Sequence, residues 1–180
     1  MIHHIRPWEI FKKLGGEREV VLKIPNGSGI ETETISSLDT LLLIAVSRSQ
    51  YVFTALELGT GCGYTTWHLA KNVRCSILTV DNNDNARIFH HTPEQNHIIE
   101  IRRDLATIYP TKFNIVFCDI NYSLETVQTS TDLAFRCDPK VVAWHDWNLP
   151  HVQQHLHMID RDLYHVEESN MTFWFQGGLK

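Results

Sequence analysis

From residue 51 to the end, apolar runs of strand length alternate with stretches that suit helices, and this rhythm limits the fold more than any other feature. The runs occupy residues 52–58, 76–80, 97–101, 113–118 and 141–144. The helical stretches fall at residues 64–71, 83–91, 104–109 and 122–135. Strand, helix, strand at this spacing predicts an α/β fold, a mostly parallel sheet with helices on both faces. The run Phe113-Asn114-Ile115-Val116-Phe117-Cys118 is nearly all apolar, as a strand covered on both sides requires.

The end of the chain breaks the rhythm. Residues 150–161 read as a helix with Pro150 in its first turn, where a missing N–H costs little. Residues 163–167 and 171–175 are then separated only by Glu168-Ser169-Asn170. No crossover helix fits in that space, so the last two strands form an antiparallel hairpin and bring the sheet to seven strands. Before residue 51 the signals are weaker. Residues 36–47 place Leu38, Leu41, Leu42, Ala45 and Val46 on one helical face, with Thr34 or Ser36 as N-cap. Residues 20–24 suit a short strand between the turn clusters Gly15-Gly16 and 25–29. One structural domain is expected, with residues 1–50 as an N-terminal cap or helical extension and 51–180 as the ligand-binding unit.

Charge and composition remove several classes of partner. Sixteen Lys and Arg against 21 Asp and Glu leave a formal charge of −5. No basic run offsets it, so nucleic acid is not an expected partner. The longest apolar run, residues 41–46, falls far short of the ~20 needed to cross a bilayer. The first eight residues lack the apolar core of a signal peptide, so no membrane partner is expected. Cys62, Cys75, Cys118 and Cys137 are widely spaced, three of them in or beside apolar segments, where cysteine behaves as a small hydrophobe. A reduced, cytoplasmic setting is the expectation.

The chemistry is concentrated in Glu57-Leu58-Gly59-Thr60-Gly61-Cys62-Gly63, which follows a predicted strand and opens a predicted helix. Glycines accept positive φ and let backbone N–H groups approach a ligand, and the helix N-terminus favours a carboxylate. The spacing Gly-x-Gly-x-Gly is not the Gly-x-Gly-x-x-Gly that seats a pyrophosphate. Glu57, two residues before the first glycine, would repel pyrophosphate and suits a ligand bearing an ammonium group. Asp81 closes the next strand 22 residues beyond Gly59, near the ~20 at which a carboxylate meets ribose hydroxyls.

This segment resembles motif I of class I S-adenosylmethionine-dependent methyltransferases, and the resemblance implies a Rossmann-like fold. It also implies that Gly59, Thr60, Gly61 and Gly63 shape the methionine pocket, and that Glu57 faces the amino group directly or through water. Asp81 and Asn82 would meet the ribose, and Asp104 and Leu105, after the third strand, the adenine. Read alone, Asp81 and Asp104 equally suit helix caps. From roughly Ser36 to Phe175 the chain is similar to the small O-methyltransferase branch that includes macrocin and, more distantly, catechol O-methyltransferases. The similarity rests on Asp119-Ile120-Asn121-Tyr122-Ser123-Leu124-Glu125 after strand four, His145-Asp146 after strand five and Thr65-Thr66 after the glycine loop. Ile120 and Asn121 depart from the branch's Gly and His, and Asp138-Pro139-Lys140 from its Gly-Gly turn.

Methyl transfer to a hydroxyl needs the proton removed, by a general base or by a divalent metal that lowers the hydroxyl pKa. The candidates are Asp119, which also counts among the cofactor-binding residues, His145 and Asp146. Asp119 and Asp146 could hold Mg²⁺ through oxygen ligands. Without metal, His145, with an ordinary pKa of about 6.5, could be the base. His151 and His155 share a helix face at i, i+4 and could present nitrogen ligands, or simply line a solvated face. Trp147 follows the reactive end and could wall an aromatic or sugar acceptor. The expected activity is O-methylation of a small hydroxylated metabolite by S-adenosyl-L-methionine, metal-assisted or not, in a monomer or a homodimer. The alternatives are N-methylation and a non-catalytic S-adenosylmethionine-binding module.

Overall fold

The protein's computed structural model describes residues 1–13, 20–21, 35–82, 94, 97–120 and 123–179. Strands β1 (Ile2–Ile5), β2 (Thr54–Leu58), β3 (Ser76–Asp81), β4 (Ile98–Arg102), β5 (Ile115–Cys118), β6 (Val141–Trp144), β7 (Leu163–Val166) and β8 (Thr172–Phe175) form one sheet. Their order is β1-β7-β8-β6-β5-β2-β3-β4. Strand β8 runs antiparallel to β6 and β7, and every other pairing is parallel. The C-terminal hairpin is therefore as expected, but the sheet has eight strands rather than seven. The extra strand is β1, Ile-His-His-Ile, whose two histidines mask an apolar pattern. It is a strand because β7 offers a free edge, paired from Ile2↔Leu163 to Ile5↔Val166.

Helices α1 (Pro7–Lys13), α2 (Ser37–Ser49) and α3 (Tyr64–Val73) cover one face of the sheet, and α4 (Leu124–Arg136) and α5 (Pro150–Met158) the other. Ile10, Leu42, Val46 and Trp67 fill the first layer; Val127, Leu133, Val152 and Leu156 fill the second. Local chemistry sets the ends. Ser36 caps α2 by accepting from the Asp39 backbone N–H, and Ser123 with Thr126 forms a capping box on α4. Pro150 takes the first turn of α5.

The expected helix at 104–109 is only a 3₁₀ turn, Leu105–Thr107. Pro110 closely follows and cannot donate to a longer ladder. The helix expected at 83–91, the turns at Gly15-Gly16 and 25–29, Thr34 as a cap, most of the strand at 20–24, and Asn121-Tyr122 lie outside the described residues.

Alternation along the strands decides what reaches the ligand edge. Ala55, Ile77, Ile115, Phe117, Val141 and Ala143 face the α2–α3 layer, and Leu56, Val80, Val116 and Trp144 face the opposite one. With a side-chain period of two, Glu57, Thr79 and Asp81, Asp119, and His145 continue the first set. The strands are in register at Leu58↔Cys118↔Trp144, so Gly59, Asp119 and His145 emerge side by side. β2 lies where the strand order reverses, between β3 and β5, and open α/β sheets bind ligands at such a point.

Candidate active site

The glycine loop leaves β2 with φ of +102° at Gly59, +49° at Gly61 and +73° at Gly63, all in the left-handed region. A Cβ on Gly59 would stand 2.5 Å from the Asp119 carbonyl oxygen, so glycine is required there for β2 to pass β5. A Cβ on Gly61 would meet nothing within 4 Å; that glycine borders open space. Gly63 is the N-cap of α3 and supplies no side-chain cap, leaving the first N–H groups of the helix for other acceptors. Asp81, at the end of β3, is buried, and its Oδ2 accepts the Gly61 N–H at 2.9 Å. Asn82 beside it is exposed.

Glu57 is buried under α3. Its Oε2 accepts from Thr66 Oγ1 and, at 2.6 Å, from Thr79 Oγ1, which in turn is bonded to Thr60 Oγ1 at 2.6 Å. Among the described residues, Oε1 has no hydrogen-bond partner. Burial pushes the carboxyl up to about 8 against the two threonine hydrogen bonds, and the charges of Asp119 and Asp81 add to the rise. A buried acid with one orphaned oxygen beside a glycine cradle open at Gly61 fits a bound ammonium and its amino-acid backbone. Thr66, from the Thr65-Thr66 pair after the glycine loop, and Thr79, which no motif marks, complete this arrangement.

The second group stands across β5 and β6. His145, 4% exposed, points Nδ1 at Asp119 Oδ1 (3.0 Å) and Asp146 Oδ1 (3.1 Å). Its Nε2 lies 3.5 Å from Asp39 Oδ2. Burial alone would lower the imidazole pKa, but the hydrogen bonds to Asp119 and Asp146 and the ion pair with Asp39 prevail and push it up to about 12. The surrounding carboxylates favour the protonated imidazole over a neutral base, while burial raises the pKa of Asp119, the carboxyl that shares its proton. Asp146 has φ +60°, unusual for a residue with a Cβ and frequent at functional sites. Asp39, on α2, was not foreseen: three residues after Ser36, it reads as part of a helix cap and no more.

Other expected positions are less committed. Asp104 is exposed and caps its own 3₁₀ turn, accepting from Ala106 N at 3.0 Å, while Leu105 packs into the second layer. Trp147 lies against the buried His165, with ring centroids 4.4 Å apart and planes 23° apart, and His4 and His157 stand close by. His155 is buried. Among the described residues, the group of three potential metal ligands close enough to share an ion is Asp119, His145 and Asp146, with ligand atoms within 4.8 Å of one another. Here the two carboxylates converge on the His145 N–H, where a dication would have to sit. Asp119 and Asp146 offer the oxygen ligands a dication would take, and in this structure both lie against His145 Nδ1.

No protein-family model matches the chain, and no curated protein matches it. Solved structures do. The O-methyltransferase TomG from Streptomyces achromogenes, involved in tomaymycin synthesis and in complex with S-adenosylmethionine, is similar with a TM-score of 0.61 and 17% identity over 78% of this chain and 80% of its own. An O-methyltransferase from Bacillus cereus in complex with S-adenosylhomocysteine has a TM-score of 0.58 and 13% identity over 94% and 90%. Cofactor-bound Rv0187 from MTB has a TM-score of 0.68 and 13% identity over 83% and 84%. The chain has the Rossmann-like α/β fold of these structures.

Proposed function

We propose that the protein is an S-adenosylmethionine-dependent methyltransferase that methylates a hydroxyl group of a small molecule. The observation that carries this reading is the orphaned Oε1 of buried Glu57 beside a glycine loop tied to Asp81. A buried carboxyl with an empty acceptor is costly unless a cation or donor completes it. Solved structures of the same fold hold S-adenosylmethionine and S-adenosylhomocysteine, which supports that ligand over a dinucleotide.

When bound, S-adenosylmethionine supplies an electrophilic methyl group on a sulfonium. The chain's own residues orient both reactants. Glu57 would accept from the ammonium, the α3 N-terminus would meet the carboxylate, and Asp81 would receive the ribose hydroxyls. Residues 51–180 would carry this donor site, with Asp39 reaching the reactive edge from the first fifty. At that edge, Asp146 would accept the hydroxyl proton of the acceptor as the new C–O bond forms and the C–S bond breaks. The protonated His145 would hold Asp119 and Asp146 in place between two negative charges. Trp147, half-buried beside them, would border the acceptor.

The step as drawn uses the charge of His145 between the carboxylates; Asp119 and Asp146 are the residues that would hold a dication, which would lower the hydroxyl pKa. A reducing, cytoplasmic setting agrees with four free cysteines, three of them buried, and no described helix is long and apolar enough to cross a membrane. Calorimetric titration with S-adenosylmethionine and with NAD, followed by S-adenosylhomocysteine release over catechol, a sugar and a primary amine, tests the proposal. Binding of NAD alone would overturn it; turnover of the amine alone would move it to N-methylation.

A further inference from the structure

One buried carboxylate outside the sheet grips the reactive segment from both sides. Asp39, in the first turn of α2, is 1% exposed. Its Oδ2 pairs with His145 Nε2 at 3.5 Å and accepts from Ser36 Oγ at 2.7 Å. Its Oδ1 accepts the backbone N–H of Asn170, in the β7–β8 turn, at 3.0 Å. The Asn170 carbonyl accepts the Trp147 N–H at 3.1 Å. The carboxylate is thus connected to the residue before Asp146 through a side chain and to the residue after it through the hairpin turn. Asp146 between them holds φ +60°, a conformation that persists only where its surroundings over-determine it.

Capping does not explain this burial. The cap of α2 is the Ser36 hydroxyl, which accepts the Asp39 N–H; a capped helix needs no carboxylate sunk into the core, where an unmatched charge is costly. We infer that Asp39 is a positioning residue, which sets the ring of His145 and the backbone from Asp146 to Trp147 and so the geometry of the reactive edge. The inference rests on the proposed function only in taking that edge as the place of methyl transfer. It assigns the first fifty residues a part in the site: α2 delivers an anchor that the sheet alone lacks.

The test is read in the free, full-length protein, so it stands apart from the activity. Wild type, Asp39→Asn and Ser36→Ala are compared by melting temperature, by nitrogen and proton NMR of the His145 ring, and by hydrogen exchange of the Trp147 amide. Asp39→Asn is expected to change the ring nitrogen shifts and to speed Trp147 exchange at least tenfold. Ser36→Ala loses the cap and the hydroxyl on Asp39 Oδ2 but leaves the contacts of Asp39 with His145 and Asn170; it should melt lower yet keep the ring shifts and the Trp147 protection. Affinity for S-adenosylmethionine should stay within threefold in both, since Glu57, Gly61 and Asp81 are untouched. Unchanged ring shifts and protection in Asp39→Asn, or equal losses in Ser36→Ala, would overturn the inference. If Asp39→Asn does not fold, Asp39→Glu, one methylene too long, is read by the same two signals in the same way. A wild type that binds no S-adenosylmethionine would refute the proposed function and leave this comparison standing.

Discussion

The backbone N–H of Gly61 donates to the carboxylate of Asp81 at 2.9 Å, so the middle of the glycine loop and the acidic end of the neighbouring strand form one unit. Asp81→Ala therefore removes the proposed ribose acceptor and releases the loop together. A hydrogen bond to a charged group contributes about 1.5–3 kcal/mol, and affinity for S-adenosylmethionine should fall roughly 10- to 100-fold, by calorimetry. Circular dichroism should remain that of the wild type.

Gly59 and Gly61 should fail differently. Ala at Gly59 puts a Cβ against the Asp119 carbonyl at 2.5 Å, and a clash of that kind in a packed interior costs about 1–3 kcal/mol, visible in denaturant titration. Val at Gly61 meets no protein atom near its Cβ. The left-handed φ of +49° strains a β-branched residue by roughly 1–2 kcal/mol, and the side chain should abolish ligand binding by filling the cradle.

Glu57 should make binding depend on pH. In the free protein its carboxyl is pushed up to about 8 by burial, so near neutrality it is mostly protonated, and a bound ammonium would draw the proton off. Affinity should rise with pH between about 6 and 7.5, by at most tenfold per pH unit, with up to one proton released. Calorimetry in buffers of different ionisation enthalpy measures that release, and Glu57→Gln should remove it.

His145 should act as a fixed cation. With its pKa pushed up to about 12 by Asp119, Asp146 and Asp39 against the effect of burial, turnover should show no acid limb near pH 6.5. His145→Ala should lower kcat by roughly 10²-fold or more, as for the loss of a preorganised charge at the reacting centre, with the affinity for S-adenosylmethionine little changed. Dialysis against EDTA should leave turnover as it was. A loss restored by Mg²⁺ would instead place a dication between Asp119 and Asp146.

His165 should weaken the fold in acid. Burial lowers its pKa to about 4, with the charge of His4 adding to the fall, whereas in the unfolded chain it titrates near 6.5. The unfolded state therefore binds the extra proton, and the stability held above pH 6.5 is lost as the pH falls towards 4. His165→Phe keeps a ring on Trp147 and removes the proton site, so its acid-unfolding midpoint, followed by tryptophan fluorescence, should move to lower pH.

Much of this protein can be read along the chain because it is built from short-range physics. The alternation of apolar runs fixes a parallel sheet, three residues between two strands force a hairpin, and three glycines with Glu57 and Asp81 mark the proposed ligand edge. β1 could not be read, since an edge strand of two isoleucines and two histidines is made by the partner that accepts it. The proton state of His145 could not be read either. It depends on carboxylates from β5, the β6 edge and α2 meeting around one buried ring, and sequence spacing carries no information on the arrival of α2 there. Asp39 shows the same division: its own neighbours mark it as the start of a helix, and only packing of α2 across the sheet brings it to His145 and Asn170.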